Sequence, residues 1–144
     1  MKKLIVTLFT VMSITGTAIA QKTNPGANKT LASDSANVPE FKWERTSYDF
    51  GKIPQGKPAS ITYVFTNVGK KPLVITGVHP SCGCTTNDFS KDFIQPGQKG
   101  FVKLTYNALN VGAFTKSTTV TANTIPDTIL LLFNGEVIAD ANAK

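Results

Sequence analysis

The chain holds one histidine, His79, and two cysteines, Cys82 and Cys84. A Ser–His or Cys–His hydrolytic triad would have to be built on His79. The sequence has no Gly-x-Ser-x-Gly element and no Gly-rich phosphate loop closed by Lys and Ser/Thr. Its acidic residues number nine, and Asp88, Asp92, Asp127 and Glu136 stand scattered, leaving no evident carboxylate pair for glycoside hydrolysis. No enzymatic activity and no bound cofactor are expected. The lysines are spread along the chain without the clustering and interleaved aromatics of a nucleic-acid surface, so nucleic acid is not an expected partner. Beyond residue 20 no apolar run is long enough to span a membrane and no window carries helical periodicity.

What is present begins with an export signal. Met1, Lys2 and Lys3 form a basic start, Leu4 to Ala20 is apolar, and Ala18-Ile19-Ala20 supplies the small residues that a signal peptidase reads. The stretch is short against the ~20 residues a spanning helix needs, and Thr7, Thr10, Ser13, Thr15 and Thr17 dilute it. Cleavage after Ala20 is expected, with no transmembrane segment in the mature chain. No cysteine follows, which argues against a lipid-modified N-terminus. The mature chain would start at Gln21 and carry thirteen basic against nine acidic residues, a net charge of +4 that favours solubility. The expected location is periplasmic or extracellular.

Residues 21–39 hold Asn, Thr, Ser, Ala and Gly, with Leu31 and Val38 as the only large apolar side chains. Such a segment buries too little surface to offset its ordering entropy and reads as a flexible tether; Asp140 to Lys144 reads as frayed. Asp34-Ser35-Ala36 and Asp127-Thr128-Ile129 each match an Asp-Ser/Thr-apolar pattern of O-glycan acceptors. The domain proper spans residues 40–138. Ile61, Tyr63 and Phe65 alternate with Thr62, Val64 and Thr66, as in a half-buried strand. Asn67 to Pro72 reads as a hairpin turn, Leu73 to Val78 as the next strand, and Gln95-Pro96-Gly97-Gln98 as a tight turn. Val102, Leu104 and Tyr106 alternate with Lys103 and Thr105; Thr115 to Ala122 reads as a more exposed strand; Ile129 to Phe133 is continuously apolar and is expected to be covered on both faces. Short strands at this spacing predict an all-β fold, an immunoglobulin-like antiparallel β-sandwich. Its core would gather Trp43, Phe50, Tyr63, Phe65, Leu73, Ile75, Leu104, Tyr106, Val120, Leu131 and Phe133. Cysteines one residue apart cannot bridge two sheets, so this core must hold by apolar burial.

Four elements then stand in order: Tyr48-Asp49-Phe50-Gly51-Lys52-Ile53 with Gly56, Phe65-Thr66-Asn67-Val68-Gly69 with Pro72-Leu73-Val74-Ile75, Ser81-Cys82-Gly83-Cys84-Thr85, and Pro96-Gly97-Gln98-Lys99-Gly100. Together they resemble the bacterial domain-of-unknown-function family numbered 1573, related to Hydin-type immunoglobulin-like domains, over about Phe41 to Val137. The resemblance implies an exported immunoglobulin-like fold and no assigned activity. Where that family often places a Trp after the cysteine pair, this chain has Asn87-Asp88-Phe89, with Phe89 as the replacement aromatic plug. In its own right, Asp49-Phe50-Gly51 reads as a strand end at which Gly51 takes a positive φ; Asn67 and Gly69 could do the same in the hairpin.

One constellation carries chemistry: His79-Pro80-Ser81-Cys82-Gly83-Cys84. Cys82 and Cys84 could form a disulfide, since Gly83 permits the turn that brings the Cα atoms inside the ~6.8 Å limit. With His79 they could bind Zn or Cu(I), which accept thiolate and imidazole, though three ligands fall short of a closed zinc site. Or they are small residues packed at a strand end. The leading function is therefore a binding or scaffolding module of the cell envelope, with an envelope or extracellular protein as partner. The alternative is a small redox or metal-handling protein built on His79, Cys82 and Cys84.

Overall fold

The structure, a computed structural model, describes residues 37–139. The expected signal peptide, the expected tether through residue 36 with Asp34-Ser35-Ala36, and the expected frayed end from residue 140 lie outside the described residues. Within them run eight strands and no α-helix: β1 (Phe41–Trp43), β2 (Ser47–Pro54), β3 (Ala59–Asn67), β4 (Ile75–Pro80), β5 (Thr85–Phe89), β6 (Lys99–Tyr106), β7 (Gly112–Ala122) and β8 (Thr128–Ile138). They form two four-stranded sheets, ordered β1-β3-β6-β5 and β2-β8-β7-β4. Neighbours pair antiparallel except at one edge, where β2 runs parallel to β8.

Period-2 alternation fixes which side chains meet between the sheets. On β3, Tyr63 and Phe65 turn inward; on β6, Val102, Leu104 and Tyr106 do so. Leu131, Phe133 and Val137 answer them from β8, and Phe114, Val120 and Ala122 from β7. The expected core residues all lie in this layer, with Trp43 and Phe50 half-buried at its margins. Gly100 sits opposite Phe65 in the β3–β6 register, and a Cβ there would run into the Phe65 ring. The ring thus lies against the bare backbone of β6. It is held from the other side by Phe41 and Trp43, with ring centroids 4.7 and 4.8 Å away.

Several expectations are corrected. Ile129 to Phe133 is covered on one face only: Leu130 and Leu132 are 50% and 39% exposed, because β8 has strands on both sides but a partner sheet on one. Thr115 to Ala122 belongs to β7, an inner strand whose Thr118, Val120 and Ala122 are buried; its other threonines face outward. Asn67 to Pro72 is not a hairpin turn. It carries the chain from one sheet to the other, and Leu73 pairs with Ile94 as a single bridge before β4 begins at Ile75. Neither Asn67 nor Gly69 has a positive φ. Gly51 does, at 63°, yet it does not end its strand. It forms a bulge within β2, where the register with β8 shifts between Asp49 and Lys52 and the Asp49 carboxylate accepts the Gly51 N–H at 2.7 Å. An edge strand bent in this way resists pairing with another chain. The last residues of the expected tether are placed against the domain: Pro39 is buried, and Val38 C=O accepts the Lys70 N–H at 3.2 Å.

Candidate functional site

The cysteine loop joins β4 on one sheet to β5 on the other, so it crosses from sheet to sheet at their edges. Cys82 and Cys84 are joined as a disulfide, with Cα atoms 5.2 Å apart, inside the usual reach of such a bond. The loop's shape is also held by the backbone. Ser81 N–H donates to Ser117 C=O at 2.9 Å, Thr85 N–H to Cys82 C=O at 3.3 Å, and Asn107 N–H to Cys84 C=O at 3.0 Å. Both cysteines are half-buried and Gly83 is exposed, with open space where a side chain would stand. Beside them lies a shallow recess of about 220 Å³ lined by Pro58, Gly83, Cys84, Thr86, Thr105 and Asn107, none of them charged. The Thr85 hydroxyl lies 3.8 Å from Cys82 Sγ; a disulfide sulfur has no proton, so the hydroxyl is the donor.

His79 does not join this pair. It sits exposed on β4 opposite Thr119, on the outer face, and its ring folds back along the strand over Gly77, with Nε2 2.7 Å from where a Gly77 Cβ would stand. That direction leads away from Cys82. Among the described residues no three His, Cys, Asp or Glu side chains come together as a metal site. The set His79, Cys82 and Cys84 proposed for Zn or Cu is therefore not assembled: strand direction separates the imidazole, and the disulfide leaves neither sulfur as a thiolate ligand. Phe89 takes the place expected of it, half-buried on β5 opposite Val102 and packed against the core.

Two features were not visible in the sequence. One is Asn67, which is fully buried. Its side-chain amide donates to Lys71 C=O at 2.8 Å and Ile94 C=O at 2.9 Å, and its carbonyl accepts Gly69 N–H at 3.0 Å and Glu40 N–H at 3.3 Å. One side chain thus ties the chain entry, the crossover and the Ile94 bridge. The Phe-Thr-Asn-x-Gly spacing was its only signal. The other is the outer face of the second sheet. There Leu130 and Leu132 stand opposite Thr119 and Ser117 of β7, with Ser47 of β2 on the far side of Leu132. This forms an apolar stripe in a field of uncharged hydroxyls, which the continuous run Ile129 to Phe133 concealed.

Fold and loop together define an immunoglobulin-like open sandwich with a disulfide at one sheet-to-sheet crossing. Residues 41–137 match the family described as Protein of unknown function (DUF1573), and the chain belongs to that family. No curated protein matches it. Among solved structures it is similar to a protein of unknown function from Porphyromonas gingivalis W83, with TM-score 0.62 and 15% identity over 76% of this chain and 51% of that one. It is also similar to the Vibrio cholerae VesB protease, with TM-score 0.57 and 14% identity over 70% and 32%. The PapD-like domain 7 of human CEP192 gives TM-score 0.54 and 12% identity over 91% and 99%. At these identities the likeness is one of fold. The chain spans about half the length of the Porphyromonas gingivalis protein and a third of the protease.

Proposed function

We propose that this chain is an exported immunoglobulin-like module that binds or scaffolds in the cell envelope, with an envelope or extracellular protein as its partner. The observation that carries the reading is the pair Leu130 and Leu132, held outward on an inner strand of the second sheet. Outward positions of a one-sided sheet are ordinarily polar, and β7 beside them follows that rule with Thr115, Ser117, Thr119 and Thr121. Two leucines flanked by the uncharged hydroxyls of Ser47, Ser117 and Thr119 suit a protein surface and offer little to a charged ligand. Export is supported by the composition of residues 1–20.

Two measurements test this. Fractionation of native cells with intact-mass analysis is expected to find the chain outside the cytoplasm, beginning at Gln21; cytoplasmic material retaining Met1 would refute export. A photo-crosslinking residue at Leu130 is expected to capture one discrete partner, while the same residue at the exposed Lys70 does not. Capture lost in a Leu132→Ser background supports the stripe as the contact, and equal capture from both positions refutes it.

A further inference from the structure

The Cys82–Cys84 bond closes a loop with one residue inside it. On the chain-entropy account stabilisation grows with the length of the closed loop, and even fifteen residues give only about 3 kcal/mol. Nor does the turn depend on the bond for its shape. Three backbone hydrogen bonds, from Ser81, Thr85 and Asn107, hold it, and the strands on either side are laddered to β7 and β6. A structural staple is poorly used here. What the site offers is access: a half-buried disulfide, an exposed Gly83 with open space around it, and an uncharged recess in which Cys84 is a wall.

We propose that Cys82–Cys84 is a thiol–disulfide exchange site that oxidises a partner dithiol. This chemistry is stoichiometric and stands independently of the docking surface on β8. A thiolate of the partner enters the recess and attacks Cys84 Sγ. The new S–S bond joins partner and Cys84, the Cys82–Cys84 bond breaks, and Cys82 leaves as a thiolate. The Thr85 hydroxyl, already directed at Cys82 Sγ, donates to that thiolate as charge develops. The partner's second thiolate then attacks its own sulfur in the mixed disulfide and releases Cys84. The partner departs as a disulfide, oxidised by two electrons, and its two protons end on Cys82 and Cys84. The backbone bonds keep the loop in place throughout, so the reduced form stays folded.

The test equilibrates the oxidised full chain in dithiothreitol redox buffers without denaturant and counts free thiols by alkylation and mass. Reversible appearance of both thiols with an unchanged thermal melt is expected. A bond that opens only on denaturation overturns the proposal, and so does reduction that unfolds the domain. Direction is read from single variants challenged with glutathione disulfide. The Cys82→Ser chain, with Cys84 free, should form the mixed disulfide several-fold faster than the Cys84→Ser chain; equal rates or the reverse order overturn attack at Cys84. Thr85→Val in the otherwise intact chain should slow reduction about fivefold, the rate equivalent of a hydrogen bond worth about 1 kcal/mol, with the melt unchanged. An unchanged rate removes Thr85 from the mechanism.

Discussion

Asn67 shows how much a single side chain settles in this sandwich. Both its amide hydrogens face backbone carbonyls, of Lys71 and Ile94, and its oxygen faces two N–H groups. Asn67→Ala leaves these buried groups without partners and is expected to cost at least about 2 kcal/mol. Asn67→Asp should cost more at neutral pH, because a carboxylate would be held against two carbonyl oxygens. Chemical denaturation of the three chains gives the ranking; an aspartate variant as stable as the alanine one would refute the extra cost of a carboxylate against two carbonyls, and one as stable as the wild type would mean that the amide donors contribute nothing. Tyr63 makes a second long reach. Its hydroxyl crosses from β3 to donate to Leu132 C=O at 2.6 Å. Burial raises its pKa to about 12, against a smaller lowering by Arg45 and a raising by Tyr48. The unfolded phenol titrates near 10. Below that pH both states hold the proton and the Tyr63 contribution is complete. From about 10 to 12 the unfolded chain loses the proton first, and stability falls as pH rises. Tyr63→Phe should cost about 1 kcal/mol at neutral pH for the lost hydrogen bond and lose this alkaline step. Denaturation midpoints of both chains between pH 9 and 12 check it, and parallel curves would refute the assignment.

At the scale of elements, pairing order decides what alternation alone cannot. The β3–β6 register sets Phe65 against Gly100, and a side chain on Gly100 has no room because Phe65 is itself clamped by Phe41 and Trp43. Gly100→Ala is expected to destabilise by about 1–3 kcal/mol, the usual cost of overpacking; a thermal melt no lower than that of the wild type would show the ring free to move. The inward residues of β3 and β6 were legible from the sequence because polar and apolar side chains alternate there. On β8 the inward Leu131 and Phe133 were named, but the outward exposure of Leu130 and Leu132 was not legible, since they are as apolar as their inward neighbours. A strand buried on both faces and a strand presenting leucines outward have the same composition. Phe114 was missed for a related reason: it precedes the threonine run, yet it enters the core because β7 begins at Gly112.

For the whole molecule, cohesion rests on the layer between the sheets. Replacing Cys82 and Cys84 together by serine is expected to leave a folded domain with its melting temperature lowered by no more than a few degrees, since the closed loop is so short. Chelator should leave the wild-type melt unchanged. A large drop on substitution would make the bond a structural one, and a drop that chelator reproduces would point to metal. Several things were determined by the sequence alone: an all-β domain, most of its core, its family, and the one loop that holds both cysteines. Strand periodicity, turn residues and cysteine spacing are local, and locality is what a linear pattern records. Tertiary structure decided the rest. It turned Asn67 from a turn residue into a buried node, set β2 parallel to β8, aimed His79 away from the cysteines, and left two leucines facing outward. Each of these depends on which strand lies beside which, and that is fixed only when distant segments compete to bury the same apolar surface.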